Sequence, residues 1–384
     1  MNRREFLATA GAATVSVAWG VSPAQAATGY GNVLVMVELQ GGNDGLNTII
    51  PFADPAYYAL RPQLAIPREQ VLALDAATGL HPALQPLLAL WQAGELAIVQ
   101  GVGYPDANLS HFRSIEIWDT ASRSNEYLQD GWLARSFKAS PAPREYAADG
   151  VVVGSGAMGP FAGGARAVAI TNTEQFLRQA RFAQPAATAA GGGALAHILK
   201  VEREVAQAAA GLSTGHNFST VFPAGAFGNA VRTAAQVIAA QSGVAAVKIS
   251  LGGFDTHRGQ LVTHARLLQE LAGGLVALKA ALLELRRWDT ALVMTYSEFG
   301  RRAAQNSSGG TDHGTAGAHF AMGGRVRGGW YGKPPELNRL DRNGNLAHAV
   351  DFRDLYATVL GGWWGVSSEQ ALGGRFQPVG FVRA

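Results

Sequence analysis

The chain has 384 residues, with 48 glycines, no cysteine, a net charge of +3, and 48% hydrophobic against 15% charged residues. Apolar content this high excludes a disordered chain, and the missing sulfhydryl excludes disulfides and thiolate metal sites, so any ion must be held by oxygen and imidazole. Basic residues are scattered and form no stripe, which argues against nucleic acid as a partner.

Asn2-Arg3-Arg4-Glu5-Phe6-Leu7 precedes an apolar run from Ala8 to Val21 and then Ala24-Gln25-Ala26. Paired arginines, a short apolar stretch and small residues read as a twin-arginine signal peptide over residues 1–26, with cleavage after Ala26. The run is shorter than the ~20 residues that cross a bilayer, so no stable membrane span is expected after cleavage. A periplasmic or secreted protein is the expectation, with residues 27–384 forming a single domain. A mature chain without cysteine is consistent with an oxidising compartment.

Short apolar, β-branched runs then alternate with helical periodicity. Val33 to Leu39 reads as a strand, Pro82 to Ala93 as a helix, Leu96 to Val102 as a strand and His111 to Ala121 as a helix. Val244 to Leu251 and Thr290 to Tyr296 read as further strands, Gln260 to Arg287 as a long amphipathic helix and Phe352 to Leu360 as a closing helix. Strands apolar on both faces predict an α/β fold whose mostly parallel sheet is covered on both sides. Residues from about 122 to 227, with Pro141, Pro143, Pro160, Gly163-Gly164 and the low-complexity run Pro185 to Gly193, read as a Gly/Pro-rich insertion or lid.

Ligand-type residues follow four of the predicted strands: Gly41-Gly42-Asn43-Asp44-Gly45, Ser110-His111, Asp255-Thr256-His257 and Glu298-Phe299-Gly300-Arg301. In an open parallel sheet the carboxyl ends of the strands share one edge, where ligands bind, so these segments are expected to converge. Thr311-Asp312-His313 follows the last of them. Asp44, Asp255, His257, Glu298, Asp312 and His313 thus form a candidate set of oxygen and imidazole ligands for one or two divalent ions, Zn, Mn, Mg or Ca. Ser110 is a candidate nucleophile, His111 a proton-transfer or orienting group, and Arg301 a candidate binder of an anionic substrate oxygen. Simpler readings stand beside these. Gly-Gly-Asn-Asp-Gly is good turn chemistry, Asp255 and Ser110 could cap helices, and Glu298 could pair with Arg301. Gly154 to Gly159 fits a dinucleotide pattern, but Pro160 leaves no room for the helix it needs, and Asp341 to Asn345 is a turn.

At these motifs the chain resembles a family of exported bacterial proteins catalogued as a domain of unknown function, number fifteen-oh-one. The resemblance is carried by Glu38 to Asn47, Ser110-His111-Phe112, Gly253 to His257, Ser297 to Arg301, Thr311 to Gly314 and Asp351 to Asp354. That family is in turn similar to the alkaline phosphatase and sulfatase superfamily, which implies a three-layer sandwich and ester hydrolysis by a metal-activated nucleophile. It implies Asp44, Asp255, His257 and His313 as metal ligands and Ser110 as nucleophile. Phe299 stands where that superfamily has a histidine, which removes an imidazole from a second metal site. The expected function is a periplasmic, metal-dependent hydrolase of sulfate or phosphate esters, and the expected partner is an anionic ester or glycan-type small molecule. The alternative is a non-catalytic exported protein that uses the same groove for binding or envelope assembly. A third reading is a metal-free serine esterase with His111 or His313 as base.

Overall fold

The computed structural model describes residues 29–170, 216–240 and 243–383. The leader, the Pro185 to Gly193 run and His197 lie outside these residues. A nine-stranded sheet carries the fold: β1 (Val33–Gln40), β2 (Leu96–Gly103), β3 (Ala148–Val153), β4 (Ala167–Ile170), β5 (Val244–Gly252), β6 (Ala291–Tyr296), β7 (Gly317–Met322), β8 (Gly329–Gly332) and β9 (Val350–Asp351). Its order is β8-β2-β7-β6-β1-β5-β3-β4, with β9 also paired to β2. Every pairing is parallel except those of β7, which runs antiparallel between β2 and β6.

Alternation along β1 divides the core into two layers. Val33, Val35, Val37 and Leu39 face one side, where α3 (Ala226–Ala239) and the 25-residue α4 (Gln260–Glu284) pack. Leu34 and Met36 face the other, against α1 (His111–Thr120), α2 (Trp132–Ala139) and α5 (Phe352–Ala357). With side chains on both faces excluded from water, each fully buried Leu or Val stabilises the fold by ~1.5–3 kcal/mol, and a run such as Val-Leu-Val-Met-Val has no solvent face to lose. The result is the expected three-layer α/β sandwich around a mostly parallel sheet.

Within the region read as an insertion or lid, about 122–227, the described residues include α2, β3 and β4, and the two strands complete one end of the sheet. Val151-Val152-Val153 pair in parallel with β5 and are buried. One sequence expectation needs correction. Pro82 to Ala93 is a 3₁₀ turn over Pro82–Leu87 that passes into a short α-helix at Leu88–Gln92, as expected where Pro86 denies the helix a donor. No helix among the described residues is long and apolar enough to cross a membrane.

Candidate metal centre

The strand-end loops meet at one edge of the sheet, and their convergence depends on a backbone that only glycine permits. Gly41 has φ +113°, and a side chain there would overlap the amide of Asp255. β1 and β5 can therefore close on each other just beyond their last paired residues, Gln40 and Gly252.

Three imidazoles gather around one carboxylate. His257 Nε2 and His313 Nε2 lie 3.0 Å apart, and each is 3.1 Å from Asp255 Oδ1. His111 Nε2 is 3.5 Å from Asp255 Oδ2. His111, Asp255 and His313 each offer an atom within 4.8 Å of the others, a group that can hold a metal ion.

The far nitrogens decide how these rings are protonated. His313 Nδ1 lies 2.8 Å from the carbonyl of Leu109, which can only accept, so Nδ1 carries the hydrogen. His111 Nδ1 meets Glu298 Oε1 at 3.0 Å and His257 Nδ1 meets Asp312 Oδ1 at 3.4 Å, again facing acceptors. In their neutral forms all three rings therefore turn bare Nε2 lone pairs toward the Asp255 carboxylate, and those of His257 and His313 also toward each other. Two facing lone pairs 3.0 Å apart repel unless a cation lies among them, so these residues fit a divalent ion. Their oxygen-backed imidazoles are the usual arrangement of metal-binding histidines.

Charges around the centre follow from the same contacts. Burial acts to raise the Asp255 carboxyl, but the Arg301 guanidinium, donating to Oδ1 at 2.8 Å, outweighs it and holds the group down at about 2. Burial lowers His313 below the usual imidazole value, against the opposing contributions of Leu109 and Asp255. Phe299 is buried with its ring centroid 4.3 Å from His313 and 4.9 Å from His111, forming an apolar wall behind both.

The remaining candidates occupy other places. Asp44 is buried and caps the one-turn helix Gly45–Thr48, and its carboxylate takes Arg61 Nη1 at 2.6 Å and Nη2 at 3.0 Å, with Gln260 as a further donor. It faces a guanidinium, not the imidazoles. Glu298, expected as a ligand, accepts the Gly41 amide at 2.7 Å and backs His111. Asp312 likewise backs His257 and takes the Asn306 amide at 3.1 Å.

Arg301, expected at a substrate anion, is buried and spends its donors on Gly42 O (2.7 Å), Thr311 O (2.9 Å), Gly41 O, Phe254 O (3.0 Å) and Asp255 Oδ1 (2.8 Å). It fastens three loops together from a buried position. Ser110 is exposed at the start of α1, and its hydroxyl makes no capping bond. The sequence reading missed Arg61 and the Leu109 carbonyl. Arg61 follows Asp44 by a spacing that has no local meaning, and a backbone carbonyl leaves no mark in side-chain identity.

No curated protein matches the chain. Among solved structures it is similar to a lipoteichoic acid synthase from Listeria monocytogenes, at 12% identity and TM-score 0.42, covering 90% of this chain and 75% of the other. It is also similar to the C-terminal periplasmic domain of EptC from Escherichia coli in complex with Zn, at 10% identity and TM-score 0.34, covering 76% and 72%. A third is the alkaline phosphatase of the Antarctic bacterium TAB5, at 11% identity and TM-score 0.34, covering 78% and 95%. These likenesses concern the fold alone. A family model described as Protein of unknown function (DUF1501) matches residues 69–372, a span that takes in His111, Asp255, His257, Glu298, Asp312 and His313. The chain belongs to the DUF1501 family.

Proposed function

We propose that the chain is an exported, metal-dependent hydrolase of phosphate or sulfate esters, carried by the twin-arginine route to the periplasm or beyond. One observation carries this reading: three oxygen-backed imidazoles turn their Nε2 atoms onto Asp255, and the residue that precedes one of them, His111, is an exposed serine. Asp255, His257, His313 and His111 would hold the ion, and a set this rich in nitrogen favours Zn over Mg or Ca. When bound, the ion supplies Lewis-acid polarisation of an ester oxygen and of a nearby hydroxyl.

The chain's own groups supply the rest. Ser110 offers its hydroxyl as nucleophile at the amino end of α1. The first intrahelical bond there runs from Ser114 N to Ser110 O at 2.8 Å, so the N–H groups of His111, Phe112 and Arg113 have no acceptor within the helix. Orphan donors and the helix dipole both favour an anionic ester at that point. Glu298 and Asp312 fix the rings of His111 and His257, and Arg301 holds Asp255 in place.

Replacing Ser110 with alanine tests the assignment. Turnover of an aryl phosphate or sulfate falls on the order of 10²-fold or more, while metal content and the circular dichroism spectrum stay as in the parent. Unchanged turnover would remove Ser110 from the mechanism, and absence of bound metal together with absence of activity across added divalent ions would overturn the reading. The enclosure of Arg301 favours a second reading, a binding module on the same fold, which predicts metal uptake without turnover of any ester. Activity that survives chelation would point to the metal-free esterase.

A further inference from the structure

The second cation of this sheet edge is built into the chain. We infer that the centre takes a single divalent ion, because Arg61 is paired with Asp44, the carboxylate that would otherwise be left to ligate a second one. The inference rests on the metal-centre reading above and adds the number of ions to it.

Saturation of Asp44 carries the inference. A carboxylate offers about four lone-pair sites. Asp44 Oδ1 accepts from Leu46 N at 3.2 Å, Asn47 N at 3.4 Å and Arg61 Nη2 at 3.0 Å, and Oδ2 accepts from Arg61 Nη1 at 2.6 Å and from Gln260. Five donors therefore occupy the group, and none of its sites is free for an ion.

The guanidinium is equally committed. Arg61 Nε donates to Ala303 O at 2.8 Å, Nη1 also to Asn47 Oδ1 at 2.8 Å, and Nη2 also to Arg302 O at 3.1 Å. Arg61 is 0% exposed and Asp44 1%.

The other donors at the edge cannot make up a second site. Phe299 contributes only a ring face, and Glu298 Oε1 is taken by Gly41 N and His111. Glu38, also buried, has its own internal cation in Lys248, with Nζ 3.0 Å from Oε2. The other oxygen of Glu298, Oε2, takes the Ser297 hydroxyl at 3.5 Å and by itself falls short of the three or more protein ligands that zinc sites normally supply.

The test is metal stoichiometry in the full-length chain. Protein loaded with Zn²⁺, dialysed and measured by elemental analysis should hold one equivalent. Loading with Mn²⁺ should give the six-line electron paramagnetic resonance spectrum of an isolated ion. Asp255→Asn should lose the equivalent, and Asp44→Asn should keep it. Two equivalents, a coupled multiline Mn²⁺ spectrum, or loss of an ion in a folded Asp44→Asn variant would overturn the single-ion inference while leaving the metal-centre reading intact. Zero equivalents in the parent protein would overturn both. Should Asp44→Asn fail to fold with Arg61 left unpaired, the stoichiometry and spectrum of the parent chain still decide.

Discussion

Replacing Glu298 with glutamine removes one charge from behind His111 while keeping nearly the same volume. In the parent chain Oε1 accepts from both the Gly41 amide, at 2.7 Å, and His111 Nδ1, at 3.0 Å. An amide oxygen can accept both bonds from the same position, so the ring should keep its tautomer and orientation. What changes is the strength of the bond. A hydrogen bond to a charged partner contributes ~1.5–3 kcal/mol and one between neutral groups ~0.5–1.5 kcal/mol, so the imidazole loses about 1–1.5 kcal/mol of support. Metal affinity should therefore fall by about tenfold, at the lower end of the 10- to 100-fold range found for such outer partners. Titration of the purified protein against a chromophoric chelator measures this directly, with thermal unfolding of the metal-free form as the control for folding. An unchanged affinity would refute the reasoning that Glu298 tunes His111. Complete loss of binding by a folded variant would show that Glu298 itself ligates, as the sequence alone suggested.

Other outcomes follow from the same structure. In Gly310→Ala the new methyl would overlap the backbone of Thr256 and His257, so strain of ~1–3 kcal/mol should lower the urea midpoint and displace His257, with weaker metal binding as the second readout. A normal midpoint and normal affinity would count against that packing. Stability should also fall with acid because buried histidines resist charging: burial holds His264 and His81 at about 4 and His319 at about 3. Each folded value lies below the unfolded one near 6.5, so the unfolded chain binds more protons between those limits. The stability is full above pH 6.5 and is lost as pH falls toward 4, on the order of 3 kcal/mol for His264 alone. Urea midpoints measured from pH 7 to pH 4.5 check the slope, and His264→Gln should flatten it. A parent midpoint that does not change over this range would sink the account.

Strands buried on both faces were the most legible part of the sequence, since the apolar runs within Val33 to Leu39 and Val244 to Leu251 fit only an interior place. The gathering of ligand-type residues at one edge was legible for the same reason: polar groups placed directly after such strands must come out on the same side. β7 was not. It is antiparallel, begins at Gly317 with a register shift and carries His319 in its middle, so its apolar signal is short and interrupted. Individual roles were less legible still. Asp44, Glu298 and Arg301 have the right chemistry for ligands and anion binding, but a carboxylate serves equally as cap, ion-pair partner or support for an imidazole. Arg61, Gly41 and Leu109 decide among these by position alone, and Ser110, read as a cap or a nucleophile, is left uncapped by its own side chain.

The candidate ligands come from the start of α1, the loop after β5 and the hairpin in which His313 pairs with Arg301, segments brought together only by the finished sheet. A bound ion would therefore act as a cross-link in a chain that has no sulfur to form one. It would tie long loops whose closure the unfolded chain must otherwise achieve at an entropic cost. Free metal at 100 times the dissociation constant would add about 2.7 kcal/mol to the folded state, comparable to a disulfide. The durability of this protein would then follow the metal supply of its surroundings, and chelation would speed its unfolding as well as silence its centre.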